Sequence, residues 1–128
     1  MLHNSRLNES VELLETFACV NRQHVASVLF DSGASHNFIA RAFVEQHHLT
    51  TSTRKSACEI LFPNGAKSTS NQIANLSIRI NSYADQLECI VVDFPPNVQT
   101  LILGFQWFRH INPHIDWRAH TLAFRFHD

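Results

Sequence analysis

Hydrophobic and polar positions alternate over short distances in this 128-residue chain, and turn signals recur about every ten residues. Residues 11–20 (VELLETFACV) are apolar and β-branched and read as a first strand. Asn21-Arg22-Gln23-His24 is a polar break of hairpin length, and residues 25–31 form a second strand that ends at Asp31. The period then changes. Phe38, Ile39, Ala42, Phe43 and Val44 recur at near-helical spacing, which predicts a short helix over 38–47, with a strand at Phe38 as the competing reading. Residues 50–56 (TTSTRKS) read as a polar connector and Cys58–Phe62 as a strand. Pro63-Asn64-Gly65-Ala66 is a strong turn signal, and Asn-Gly favours a type I′ hairpin. Residues 67–72 are wholly polar, so that hairpin has little to bury and is expected to project and move.

The second half continues in strands. Residues 73–81 alternate with period two through Ile73, Leu76 after a slip, Ile78 and Ile80. Residues 87–94 are more continuously apolar and stop at Pro95-Pro96. Leu101-Ile102-Leu103 is a short buried run ending at Gly104, and residues 105–110 make a single helical turn broken at Asn112-Pro113. Residues 115–117 and 121–126 read as a closing hairpin. Seven or eight short strands with little helix predict an all-β sandwich or small barrel, with no repeat, low-complexity tract or internal domain boundary.

Composition narrows the function classes. The length fits one domain. Ten basic and eleven acidic residues give a formal charge of −1, which argues against a nucleic-acid surface. No apolar run approaches a membrane span. The first ten residues are mostly polar and carry no signal-peptide pattern, so residues 1–10 are expected to be a flexible segment or polyprotein linker and 11–128 the domain. Cys19, Cys58 and Cys89 are then expected to be free thiols in an intracellular, cytoplasmic setting. Only three glycines occur, so each is expected to mark a backbone position that needs one.

The candidate chemistry lies in Phe30-Asp31-Ser32-Gly33-Ala34-Ser35, where an apolar strand delivers a carboxylate into a turn of small residues. Hydrolysis by paired carboxylates needs a second acid sharing one proton. No second Asp-Ser/Thr-Gly occurs, and Asp85, Asp93 and Asp116 lack a glycine turn to expose them. The nine histidines, with His110 and His114 four apart, lack the tighter spacing of a zinc motif, and no metal or cofactor is expected. His36 is expected to face solvent beside the loop.

DSGASHNFI, an Asn-Gly hairpin, LILG, W-F-x-x-x-N-P-x-I-D-W and a final L-x-F, in that order, resemble the retropepsin-like aspartic protease domain of gypsy-type LTR retrotransposons and of genes domesticated from them. That resemblance implies a small closed β-barrel with one or two short helices. It also implies an endopeptidase that works as a homodimer on extended polypeptide segments of a Gag-Pol-type polyprotein, in the cytoplasm or in retrotransposon particles. Asp31 would be the catalytic acid, supported by Ser32, Gly33 and Ala34. Leu61, Phe62, Pro63, Asn64, Gly65 and Ala66 would form a flap over the substrate, and Leu103 and Gly104 the floor beneath the loop. The aromatic tail, with Trp107, Phe108, Trp117, Leu122, Phe124 and Phe126, would supply part of the dimer interface. The alternative is a domesticated, catalytically silent dimer of the same fold that binds peptides.

Overall fold

Strand pairing closes a barrel. The computed structural model describes residues 5–62, 65–95 and 97–127, with the main chain alone at 5–9 and 125–127. Its elements are β1 (Ser5–Glu12), β2 (Thr16–Val20), β3 (His24–Phe30), β4 (Phe38–Ala40), α1 (Arg41–Gln46), β5 (Thr51–Leu61) and β6 (Lys67–Ile80). There follow β7 (Tyr83–Val92), β8 (Leu101–Leu103), α2 (Phe105–Ile111), β9 (His114–Asp116) and β10 (Thr121–His127). Strands β2, β3, β8, β4, β7 and β6 pair in that order, and β6 pairs back onto β2 to complete a closed six-stranded barrel. Strand β5 extends the sheet beyond β6, while β1, β10 and β9 make a separate three-stranded sheet. The all-β barrel with two short helices is as expected from the resemblance.

Closure has a local cause. Asn21 and Arg22 both have positive φ, 51° and 63°, the backbone of a type I′ turn, and asparagine tolerates that region. The turn aims Asn21 at β6. Its N–H donates to the Ser77 carbonyl at 2.7 Å, and its Oδ1 accepts from the Ser77 N–H at 2.9 Å. The β2–β6 ladder is thereby extended by one side chain.

Two apolar clusters fill the molecule. On β6, Ala74, Leu76, Ile78 and Ile80 are at most 1% exposed and face the larger one. Ile73 sits on the opposite face, against the smaller cluster of Phe38, Ile60, Phe62, Ile90, Val92 and Ile102. No slip in the alternation is therefore needed; the repeat starts at Ala74. Strand β7 is buried on both faces near its end, with Cys89 and Val91 in one cluster and Ile90 and Val92 in the other, so its sequence reads as a continuous apolar run.

Several expectations are corrected. Residues 5–10, polar in sequence, lie in β1, which pairs with β10, because main-chain pairing at a sheet edge does not require apolar alternation. The predicted first strand divides at residues 13–15 into the ends of β1 and β2. The expected helix over 38–47 divides too: Phe38–Ala40 is a strand between β7 and β8, and only Arg41–Gln46 is helical. That helix ends in a Schellman motif, with His48 at φ 54° and the Leu49 N–H donating to the Val44 carbonyl at 3.0 Å. The 50–56 connector belongs to β5, which pairs with β6 on both sides of an irregularity between Thr53 and Cys58. As an edge strand carrying Arg54 and Lys55 it is exposed along most of its length, which hides it from a hydrophobicity reading.

Much of the aromatic tail packs into the core. Trp107 is 2% exposed, its ring lies 5.4 Å from Phe30 and 5.2 Å from Phe108, and its Nε1–H donates to the Tyr83 hydroxyl at 2.9 Å. Tyr83 stacks on Phe124 at 4.7 Å and donates to Asp85 Oδ2 at 3.1 Å. Leu122 and Phe124 are equally buried. Large side chains fill the space between α2, β7 and β10, and Trp117, 73% exposed, is left outside it. The side chain of Phe126 lies outside the described residues.

Candidate active site

Parallel pairing with β8 carries β3 into the loop: Val28, Leu29 and Phe30 lie opposite Leu101, Ile102 and Leu103. The Asp31 N–H extends this ladder by donating to the Leu103 carbonyl at 2.9 Å. There the chain turns. The Ala34 N–H donates to the Asp31 carbonyl at 3.0 Å, and the Gly33 N–H donates to Asp31 Oδ1 at 2.9 Å. Asp31 is partly exposed, Ser32 and Gly33 are exposed, and Ala34 turns inward onto the smaller apolar cluster. The loop thus holds one carboxylate at the surface by its own backbone.

The floor is tighter than expected. Leu103 is fully buried, and a methyl group on Gly104 would collide with the His36 carbonyl and approach the Ala34 carbonyl oxygen to 2.7 Å. Close approach, not turn geometry, requires this glycine. The Phe105 N–H donates to the Ala34 carbonyl at 2.7 Å, so the loop rests on the start of α2.

The hairpin β5–β6 closes with Leu61 opposite Lys67. The Gly65 N–H donates to the Phe62 carbonyl at 2.9 Å, the Phe62 N–H donates to the Ala66 carbonyl at 2.8 Å, and Gly65 has φ 87°. A type I′ turn centred on Asn64-Gly65 would instead be closed by Pro63 and Ala66; the observed bond joins the Gly65 N–H to the Phe62 carbonyl. Pro63 and Asn64 themselves lie outside the described residues. Phe62, 9% exposed, faces inward with Ile60, while Leu61, 66% exposed, faces out. Adjacent strand residues point to opposite faces, so Ile60 and Phe62 pack inward and Leu61 stays accessible. The hairpin accordingly buries more than its polar return arm implied: Phe62 meets Phe94 edge-on at 6.2 Å, and both join the cluster that includes Ala34.

Asn37 was missed by the sequence reading. It is buried, its Oδ1 accepts from the Gly104 N–H at 2.9 Å, and its carbonyl accepts from the Ile90 N–H at 2.8 Å. Its only signal was a polar residue wedged before Phe38-Ile39. His36 is half-buried rather than solvent-facing, with Nδ1 2.8 Å from Ser35 Oγ.

The other aspartates are engaged elsewhere. Asp116 Oδ1 caps a turn by accepting from the Arg118 and Ala119 N–H groups at 3.1 and 3.0 Å. Asp85 accepts from Tyr83 and from the Gln86 N–H, and Asp93 pairs with Arg41 Nε at 3.1 Å. His110 lies 3.7 Å from Asp85. Among the described residues no three His, Cys, Asp or Glu side chains converge as a metal group would require. Two cavities, of about 400 and 370 Å³, are lined by Arg41, Glu45 and Gln72 and by Cys19, Arg22 and Arg79, and no residue of the 31–37 loop borders either. No described helix is long and apolar enough to cross a membrane.

With this geometry in view, the likenesses are consistent. The chain aligns over 74% of its length with 84% of EIAV protease complexed with the inhibitor HBY-793, at 18% identity and a TM-score of 0.57. It aligns over 89% of its length with 94% of the retroviral protease-like domain of Ddi1 from Leishmania major, at 13% identity and a TM-score of 0.62. A retropepsin-like aspartic protease from Rickettsia conorii matches 99% of this chain and 98% of its own, at 15% identity and a TM-score of 0.59. At these identities the structures speak to the fold. No curated protein sequence matches significantly. The family model of the PEG10/RTL1 protease domain matches residues 27–127, from the strand that delivers Asp31 to the last strand of the tail, and the chain therefore belongs to that retrotransposon-derived family of retropepsin-like domains.

Proposed function

We propose that the chain is an aspartic endopeptidase that acts as a homodimer, each copy contributing Asp31. The observation that carries this reading is the loop itself. It presents one carboxylate at the surface, held by the Gly33 N–H, while Asp85, Asp93 and Asp116 are committed to other partners. A twofold pair would set Asp31 against its own symmetry mate. Two carboxylates in contact share one proton, since both cannot readily ionise. The ionised member takes a proton from water, which attacks the scissile carbonyl; the protonated member donates to the carbonyl oxygen. The proton then passes to the departing amine. Ser32, which is exposed, would bond across the pair.

The substrate in this reading is an extended segment of a Gag-Pol-type polyprotein. The hairpin would pair with it through main-chain hydrogen bonds and close over it. The buried cluster of Phe38, Ile60, Phe62 and Ile102, with Ala34 packed against it, would hold hairpin and loop together beside the cut.

The test is cleavage of an extended apolar peptide over a range of protein concentrations. Activity per chain is expected to rise with concentration, and Asp31→Asn to lower it by about 10³-fold or more. Activity that survives Asp31→Asn overturns the catalytic assignment, and activity in a proven monomer overturns the shared pair. An intact dimer that binds the peptide without cutting it establishes the silent binding module instead.

A further inference from the structure

The loop that carries Asp31 is held at three points, all on consecutive residues. Leu103 accepts from the Asp31 N–H at 2.9 Å, Phe105 donates to the Ala34 carbonyl at 2.7 Å, and Gly104 between them donates to Asn37 Oδ1 at 2.9 Å. The first two bonds are main chain to main chain and form with any side chain present. The third depends on the identity of one residue. We propose that Asn37 is a positioning residue for the catalytic loop, its side-chain oxygen fixing the far end of the 31–37 loop against the start of α2. The proposal rests on the assignment of Asp31 as the catalytic acid.

Three features support this role. Asn37 is itself anchored, because its carbonyl accepts from the Ile90 N–H at 2.8 Å, so its side chain projects from the fixed edge of β7. The Gly104 N–H lies in a buried setting where it donates to Asn37 Oδ1, and leaving such a donor unpaired is unfavourable. Gly104 also stacks so closely on the Ala34 and His36 carbonyls that a displacement of residue 104 is passed directly to the loop. Asn37 acts through these groups and touches no reacting atom. The consequence is geometric: catalysis by paired carboxylates tolerates little displacement, and a misplacement of about 1 Å lowers rates by about 10²-fold.

The test uses the full chain and two readouts. In Asn37→Ala, amide hydrogen exchange at Gly33, Ala34 and Gly104 is expected to quicken by about tenfold or more, with the β6 and β7 amides of the barrel unchanged. In the cleavage assay kcat is expected to fall by about 10–100-fold with KM within about twofold. Asn37→Asp keeps an acceptor oxygen at the same reach and is expected to restore slow exchange at Gly104 near neutral pH. Should Asn37→Ala fail to fold, Asn37→Ser, one atom shorter, carries the same comparison. Loop exchange equal to wild type, or quickening equally throughout the barrel, overturns the proposal. A wild-type protein that cleaves nothing removes the protease reading alone, because the exchange experiment still decides whether Asn37 holds the loop.

Discussion

Gly104 leaves no room for a methyl group, and this is where a single atom reaches the chemistry. The added carbon would meet the Ala34 and His36 carbonyls, both backbone atoms that cannot rotate away. Gly104→Ala is therefore expected to destabilise the fold by about 3 kcal/mol, the upper part of the overpacking range, as read from urea unfolding. Because the same carbonyls belong to the loop, activity should fall further than the stability loss explains. Gly33 is less confined, since a methyl group there would lie 3.2 Å from Asp31 Oδ1. The sequence made the rarity of glycine legible, but the reason for Gly104 was not, because it comes from a loop about seventy residues upstream. Asn37 was invisible for a similar reason: its partner is a main-chain N–H distant in sequence, and no local pattern records such a bond.

At the level of elements, α1 is tied to the β2–β3 turn by histidines. His24 stacks on His47 with ring centroids 3.9 Å apart, and Phe43 meets both rings edge-on, at 6.3 and 4.5 Å. Partial burial, together with the nearby charges of His24 and His48, lowers the proton affinity of His47 below its ordinary 6.5. With the folded value depressed, the unfolded chain binds more protons in that window. The stabilising contribution is then present above about pH 6.5 and is lost as pH falls through the lower, folded value. Urea midpoints are expected to drop between pH 7.5 and 5.5 in the wild type, and to drop less in His47→Gln. The strands most legible in the sequence were those with one buried face, such as β6 from Ala74 to Ile80. Those that were missed or divided follow other rules. Strand β5 is an edge held by main-chain bonds, and β4 is three residues long, fixed by neighbours on both sides.

For the whole molecule, the closed barrel was legible because strand, Asp-Ser-Gly turn and hairpin follow one another as local signals. The destination of the aromatic residues was not, since richness in Trp and Phe does not distinguish a core from an interface. Of the two tryptophans, Trp107 is enclosed and Trp117 exposed. Acrylamide is therefore expected to quench about half of the tryptophan fluorescence, and Trp117→Phe to abolish most of the quenchable part; equal access to both would contradict the packing of α2. The pairing of β1 with β10 has a further consequence. Ser5 lies opposite His127 in an antiparallel pair, so these two positions, 122 residues apart in the chain, stand side by side. Polypeptide before the first and after the second would depart from one edge as adjacent strands, which is the geometry that lets a domain be spliced into a surface loop of another protein without prising that loop apart.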